Sequence, residues 1–196
     1  KAIMTTANNT MTGKYSKTTY LVLCGLFAAV TAIGSFVSVP LGFTPVPVNL
    51  ATLAVFLTGG LLGAKYGTIS EVVYVLIGAV GVPVFAGFRG GISVLAGPTG
   101  GYIIGYIMAA LIIGLILDKW FRPENRSTGR TYAVLILAMI AGLAACYLLG
   151  TLWFIVSTGT GVWASLTACV FPFLIGDAVK IIAAVILVKK LRPLLR

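Results

Sequence analysis

The sequence predicts an all-α integral membrane protein with six transmembrane helices. Of its 196 residues, 59% are hydrophobic and only 9% are charged, whereas soluble domains carry roughly 25% charged residues. The mean hydropathy is +1.08. The apolar residues gather into runs, and a spanning helix needs about 20 such residues. These observations exclude a soluble enzyme, a disordered protein and a nucleic-acid-binding module, and they leave room for one membrane domain.

Six apolar runs, separated by turn residues, define the expected helices. They cover residues 20–39, 48–63, 68–82, 102–117, 132–157 and 163–188. Three prolines between residues 40 and 47 end the first run, since proline is excluded from helix interiors. Residues 63–67 are interpreted as a tight turn. The chain therefore divides into a polar leader (1–19), a six-helix membrane domain (20–190) and a basic cytoplasmic tail (191–196).

The first apolar run is longer than the roughly 7–15 apolar residues of a signal-peptide core, so it is interpreted as a retained helix.

The segment 83–101 is rich in Gly and Pro and yet still apolar. Non-helical backbone near a membrane is tolerated where it is buried in protein or lines a cavity. We therefore expect this segment to be a lid or a re-entrant loop over a pocket.

The distribution of charge predicts the topology. The formal net charge is +10, from fourteen Lys and Arg residues against four Asp and Glu. If the amino terminus is inside, every cation except Arg89 and Lys180 falls in the leader, an inner loop or the tail. Cytoplasmic loops of membrane proteins collect Lys and Arg. The pattern therefore places both termini in the cytoplasm. The positive net charge then reflects the orientation of the protein in the membrane and contact of its cations with anionic lipid, and nucleic-acid binding is not needed to explain it.

Asp177 and Lys180 are the strongest candidates for a binding site. They lie in the sixth apolar run, where an ionisable side chain costs roughly 2.5–3.5 kcal/mol on insertion scales. Residues three apart share one helix face. They can hold a polar ligand that has N–H and C=O edges or a carboxylate. The alternatives are a structural ion pair and a Lys180 side chain that reaches toward the inner surface.

Further candidates lie in the segment 83–101 and its surroundings. Arg89 precedes a glycine pair that includes Gly91, so a forked cation and exposed backbone N–H groups could meet an anion. Thr99 and Tyr102 belong to a glycine-rich run before the fourth helix. The backbone N–H groups of this run could also bind an anion. Asn49 stands at the head of the second run. The alternatives are a solvated or headgroup-bound Arg89, an ordinary turn before the fourth helix, and a helix cap at Asn49.

Other residues are assigned to packing. Ala28 and Ala32 are small residues four apart, which allows close helix approach within the chain or with a partner subunit. The three cysteines lie in apolar runs without metal-ligand spacing. Glu71 is expected to pair with Lys65. Histidine is absent, which removes His-based catalysis and zinc sites.

Four segments together resemble one known family. They read PVPVNL at 45–50, GAVGVPVFAG at 78–87, GPTGGY at 97–102 and DAVK at 177–180. The chain is similar to the BioY family, the biotin-specific substrate-binding (S) components of energy-coupling factor (ECF) transporters. The resemblance covers about residues 20–190.

The resemblance implies the six-helix S-component fold, with biotin bound near the outer face and a lid formed by the first loop. It implies a transmembrane coupling (T) subunit and two ATP-binding subunits as partners, a prokaryotic plasma membrane as location, and no cofactor. Asp177 and Lys180 match the ligand-binding positions of the family, and Arg89, Asn49 and Tyr102 are carried over with them. Ala28 and Ala32 match the small-residue motif through which S components dock on the coupling subunit.

The residues leave alternatives for function. One is an S component for another vitamin. Another is an intramembrane enzyme, such as a Ser-Lys protease that uses Lys180, although few carboxylates are available for acid–base work. A third is a passive channel. The sequence contains no GxxxxGK[ST] phosphate loop, so any ATP hydrolysis must belong to a partner chain.

Overall fold

The computed structural model describes residues 16–121 and 128–195. Within these described residues, seven α-helices and one β-hairpin follow one another. They are α1 Lys17–Phe36, β1 Ser38–Leu41, β2 Thr44–Asn49, α2 Ala51–Ala79, α3 Ile92–Ala96, α4 Gly100–Trp120, α5 Thr128–Thr158, α6 Val162–Cys169 and α7 Leu174–Leu195, with a 3₁₀ turn Phe171–Phe173 before α7. The Ser16 side chain caps α1 by accepting from the Thr19 N–H at 3.2 Å.

Helix α2 is a hairpin of two arms rather than one straight rod. Gly63 has φ 77° and ψ −174°, a backbone conformation that is essentially limited to glycine. The chain reverses there, and a Cβ built on Gly67 would lie only 3.1 Å from the Gly59 Cα. The turn expected over residues 63–67 is therefore made mainly by one residue, and both arms are helical up to it.

The prediction of an all-α membrane protein with six spans is confirmed. Among the described residues, five helical stretches are long and apolar enough to cross a bilayer. The α2 hairpin supplies two passes, and α6, the 3₁₀ turn and α7 together supply the last. The sixth span is thus broken near Pro172, where the sequence analysis expected one continuous helix.

The first loop contains a β-hairpin that the sequence analysis did not predict. Strands β1 and β2 pair antiparallel, with a register shift between Val39 and Leu41 around Pro40. Pro45 and Pro47 lie in β2. Proline is tolerated in a two-stranded ribbon because each strand has an open edge. The prolines therefore ended the first helix as expected, and they also left an extended chain able to pair with itself.

Close backbone contacts hold α4 at the centre of the bundle, against α2 and α5. A Cβ on Gly114 would lie 2.2 Å from the Ala64 nitrogen, and one on Gly59 would lie 2.7 Å from the Ala110 carbonyl oxygen. Small residues of this kind let membrane helices approach closely, which increases their van der Waals contact.

An ion pair closes the end of the bundle that carries the chain termini. Asp118, near the end of α4, accepts from the Ala64 N–H at 3.0 Å and pairs with Arg192 at 2.6 Å. Arg192 also donates to the Gly60 carbonyl. Arg192 is 3% exposed and α7 continues to Leu195, so the helix runs through most of the segment 191–196 that was expected to be a tail.

The positions of the cations agree with the expected topology. Near this same end lie the described cations Lys17, Lys65, Lys119, Arg130, Lys189 and Lys190, while Arg89 lies in the loops at the opposite end. The predictions for Lys1, Lys14, Arg122, Arg126 and Arg196, and for most of the leader 1–19, concern positions outside the described residues. The placement of both termini in the cytoplasm stays a prediction.

The expected pair between Glu71 and Lys65 is wrong. Glu71 is fully buried and accepts a hydrogen bond from Thr31 at 3.0 Å. Lys65 is exposed beside the hairpin turn, with its ammonium 5.4 Å from the centre of the Tyr66 ring. The two residues are six apart on the same arm, and a spacing of six places them on different faces of a helix.

Candidate functional site

The loops at the end opposite the termini enclose a cavity in the bundle. Its empty volume is about 690 Å³, which includes the open space at its mouth. The β-hairpin, α1, α2, the segment 80–99, α4, α5, α6 and α7 all contribute side chains. The expectation that the segment 83–101 covers a pocket agrees with this, because Phe85, Ala86, Arg89, Val94 and Thr99 line it.

Asp177 and Lys180 form an ion pair in the wall of this cavity. The Lys180 Nζ lies 2.8 Å from the Asp177 Oδ1, and the two residues are 9% and 2% exposed respectively. Thr52 joins them: its hydroxyl donates to the same carboxylate oxygen at 3.1 Å and accepts from Lys180 at 2.9 Å. The Tyr147 hydroxyl donates to the other carboxylate oxygen. A buried charge is stabilised when it is paired and hydrogen-bonded in this way.

The cluster is electrically neutral and rich in polar atoms. Lys180 has three N–H donors, of which the described contacts use two. Each carboxylate oxygen of Asp177 has lone pairs beyond the bonds described. The site can therefore exchange hydrogen bonds with a neutral group that offers both N–H and C=O.

Aromatic rings form much of the remaining wall. Tyr74, Phe85, Tyr102, Tyr106 and Phe173 line the cavity and are each at most 7% exposed. Phe85 meets Tyr74 edge to face, with 5.6 Å between ring centres. It is seated on Gly78, where a Cβ would lie 2.0 Å from the ring. This apolar wall suits a flat ring or an alkyl chain.

Arg89 lies at the exposed mouth. A tight loop presents it: Phe85 and Arg89 exchange backbone hydrogen bonds of 2.9 and 3.3 Å, and Gly87 and Phe88 between them have positive φ. Its Nε donates to the Ala86 carbonyl at 3.2 Å. The two Nη groups carry the remaining donors, which are suited to a carboxylate at the mouth.

The other predicted site residues divide into two groups. Asn49, Thr99 and Tyr102 line the cavity. The side chain of Asn49 also caps α2 by accepting from the Ala51 N–H at 3.0 Å, so both interpretations of that residue hold. Gly91 does not line the cavity. Its N–H donates to the Gly78 carbonyl at 2.7 Å, so this donor is already bonded within the chain.

The run 97–102 forms a turn before α4. Gly100 and Tyr102 donate their N–H groups to the carbonyls of Gly97 and Thr99 in their own turn, at 3.0 and 3.1 Å. These two donors are therefore satisfied within the chain, which agrees with the alternative of an ordinary turn. The anion site expected in this run stays a prediction.

Sequence analysis missed Thr52 and Tyr147, which complete the charged cluster. It also assigned Cys146 and Cys169 to packing, whereas both line the cavity. A hydroxyl inside a spanning helix needs a hydrogen-bond partner. A search for one could have linked Tyr147 to Asp177, although the spacing of the residues says nothing about distance.

Ala28 and Ala32 are not on an exposed face. They are 4% and 8% exposed and belong to the core between α1 and α2. The small residues that α1 exposes are Gly25 and Ala29. Ala29 directly follows Ala28 in the sequence, and Gly25 and Ala29 are four residues apart, like Ala28 and Ala32. The assignment of Ala28 and Ala32 to partner docking is therefore corrected to packing within the chain.

Comparison with known proteins gives one consistent result. The sequence profile of the BioY family matches residues 5–196. The biotin transporter BioY of Thermotoga maritima is 38% identical over 175 residues, which is 89% of this chain and 96% of the relative. The probable biotin transporter BioY of Pyrococcus horikoshii is 39% identical over 170 residues, or 87% and 94% of the two chains. A solved S-component for biotin from an ECF-type ABC transporter superposes with a TM-score of 0.82 and 31% identity, and the match covers 90% of this chain and 92% of that one.

Proposed function

This chain belongs to the BioY family, and we propose that it is the high-affinity biotin-binding membrane subunit of an ECF-type importer. It is a transport subunit and not an enzyme. The observation that carries the proposal is the neutral Asp177–Lys180 pair, held by Thr52 and Tyr147 in the wall of an aromatic cavity.

The chemistry of biotin matches the two ends of this cavity. The fused ring system is apolar with a ureido edge that offers two N–H donors and one C=O acceptor. Asp177 can accept from the ureido N–H groups and Lys180 can donate to the oxygen. The valerate chain then runs along the aromatic wall, and its carboxylate meets Arg89 at the mouth. A net-neutral pair suits a neutral ring, and an exposed lone cation suits an anion.

The direction of uptake follows from the charge distribution. Cations concentrate at the end with the termini, so the cavity opens on the opposite, outer side of the cytoplasmic membrane. Energy comes from a T subunit and two ATP-binding subunits. The face of α1 that carries Gly25 and Ala29 is proposed as the surface that docks on the T subunit, because its small residues allow a second helix to approach closely.

The test is a titration of the purified protein in detergent with biotin and, separately, with a panel of other vitamins. Trp153 reports binding by fluorescence, because its indole N–H donates to the Gly97 carbonyl at 3.0 Å beside the loop that lines the cavity. Labelled biotin provides the direct check. Saturable binding of biotin alone supports the proposal. Saturable binding of another vitamin without biotin binding identifies an S component of different specificity.

A further inference from the structure

One carboxyl group lies inside the bundle and outside the ligand cavity. Glu71, on the second arm of α2, is 0% exposed and does not line the cavity. Thr31 donates to its Oε1 at 3.0 Å, but its Oε2 has no hydrogen-bond partner among the described residues. Neither ion pair of the described residues includes it. Nothing in the proposed transport function uses this group.

A negative charge at this position would be costly. Buried charges in proteins are paired, or the group becomes neutral, and a carboxylate inside a membrane is expensive on every scale. Among the described residues, the titratable groups that interact electrostatically with Glu71 are the Tyr74 phenol from its own arm and the Cys146 thiol from α5. Neither is a cation, so neither can compensate a carboxylate.

Glu71 lies one helical turn from the cavity wall. The Thr31 carbonyl accepts from the Ser35 hydroxyl at 3.0 Å, and the Ser35 Oγ lies 2.8 Å from the Tyr74 hydroxyl. Ser35 and Tyr74 both line the cavity. The contacts of Glu71 thus hold α1 against α2 at the level where these two helices begin to form the wall.

We propose that Glu71 is a positioning residue of the ligand cavity and that it acts as a neutral carboxylic acid, joining α1 to the second arm of α2 through Thr31. The effect on ligand affinity rests on the proposed function, with biotin as the ligand. The protonation of Glu71 does not.

Infrared spectroscopy tests the protonation directly. We compare wild type with Glu71→Gln in lipid vesicles, at neutral and mildly alkaline pH. The expected difference spectrum contains the carbonyl band of a protonated carboxylic acid at both pH values, present in wild type and lost in the variant. A difference confined to carboxylate bands would overturn the proposal. This measurement needs no ligand, so it stands even if the protein does not bind biotin.

Biotin affinity tests the positioning role. Glu71→Gln keeps an acceptor for the Thr31 hydroxyl, so its dissociation constant should change by less than about two-fold, whereas Glu71→Ala leaves that buried hydroxyl without its partner and should weaken binding about ten-fold. Thr31→Val should also weaken binding, because it removes the same hydrogen bond. Thr68→Val is the matched control, because that hydroxyl donates only to the Ala64 carbonyl of its own arm, at 2.6 Å.

Two results would contradict this. If Glu71→Ala and Thr31→Val bind biotin like wild type, Glu71 does not position the cavity. If Glu71→Gln is as weak as Glu71→Ala, the residue does not act as a neutral acid. Should Glu71→Ala fail to fold, then Glu71→Gln, Thr31→Val and the wild-type spectrum decide the question.

Discussion

At the scale of single residues, charge was the informative signal. Asp177 and Lys180 could be selected from the sequence because ionisable side chains inside a spanning helix need a strong reason to be there. Their hydrogen-bond partners Thr52 and Tyr147 could not be selected in this way. Thr52 lies 125 residues from Asp177 along the chain, and Thr and Tyr are common enough in membrane helices that neither stands out. Only the fold shows that they meet.

Tyr147 should contribute strongly to ligand binding. In Tyr147→Phe the Asp177 carboxylate loses a donor, so it is held less firmly and its lone pairs are less well placed. A hydrogen bond to a charged group contributes roughly 1.5–3 kcal/mol, so we expect at least about ten-fold weaker binding of biotin. Equilibrium binding of labelled biotin measures this. Tyr132→Phe is the control, because that ring lies near the opposite end, 3.8 Å from the Lys189 ammonium. Equal affinities in the two variants would contradict the role of Tyr147.

Arg89 should recognise the carboxylate of biotin rather than its ring. We expect Arg89→Gln to bind biotin about ten-fold more weakly, since a charge-assisted, forked contact is lost. The same variant should bind the uncharged amide of biotin as wild type does. Competition binding with both ligands separates the two effects. If the amide loses as much affinity as biotin, Arg89 does not contact the carboxylate.

At the scale of elements, apolar periodicity and turn residues predicted the spans, but their connections depended on backbone geometry. The sequence indicated a turn around residues 63–67, and the structure places the reversal at Gly63. The first loop was expected to break a helix, and the pairing of β1 with β2 was not foreseen, because prolines usually argue against strands. The break at Pro172 within the sixth span was missed, since that apolar run is continuous in hydropathy.

Gly63 should be sensitive to any side chain. Its φ of 77° with ψ of −174° is a conformation that alanine adopts only with strain, so Gly63→Ala should lower the free energy of unfolding by about 1–3 kcal/mol. Thermal unfolding in detergent measures the change. Gly25→Ala is the matched control, because a Cβ there meets nothing within 4 Å and alanine favours helix. Equal stability of both variants would contradict the hairpin geometry at Gly63.

At the scale of the whole molecule, the sequence was sufficient to predict the class of fold and the end of the bundle at which the cavity lies. The sequence did not predict which faces of the helices are exposed. Ala28 and Ala29 are adjacent and chemically identical, yet Ala28 is buried against α2 and Ala29 is exposed. Membrane helices are apolar all round, so hydropathy does not distinguish lipid-facing positions from buried ones.

The exposed face of α1 should be needed for transport and not for binding. Ala29→Leu adds bulk where a coupling helix would approach, so we expect normal biotin affinity in the purified subunit and strongly reduced ATP-driven uptake with the T and ATP-binding subunits co-expressed. Ala144→Leu, at an exposed position of α5, should leave both unchanged. Uptake by Ala29→Leu at the wild-type level would exclude this face as the docking surface.

The central claim is that the polar cluster around Asp177 is the biotin site of this molecule. The most direct measurement is the biotin dissociation constant of Asp177→Asn beside that of Asp118→Asn. Both aspartates are paired with a cation, at 2.8 and 2.6 Å, and they lie at opposite ends of the bundle. If this cluster is the biotin site, Asp177→Asn loses most of its affinity for biotin, and folded Asp118→Asn retains it. Undiminished binding of biotin by Asp177→Asn would show that the site lies elsewhere.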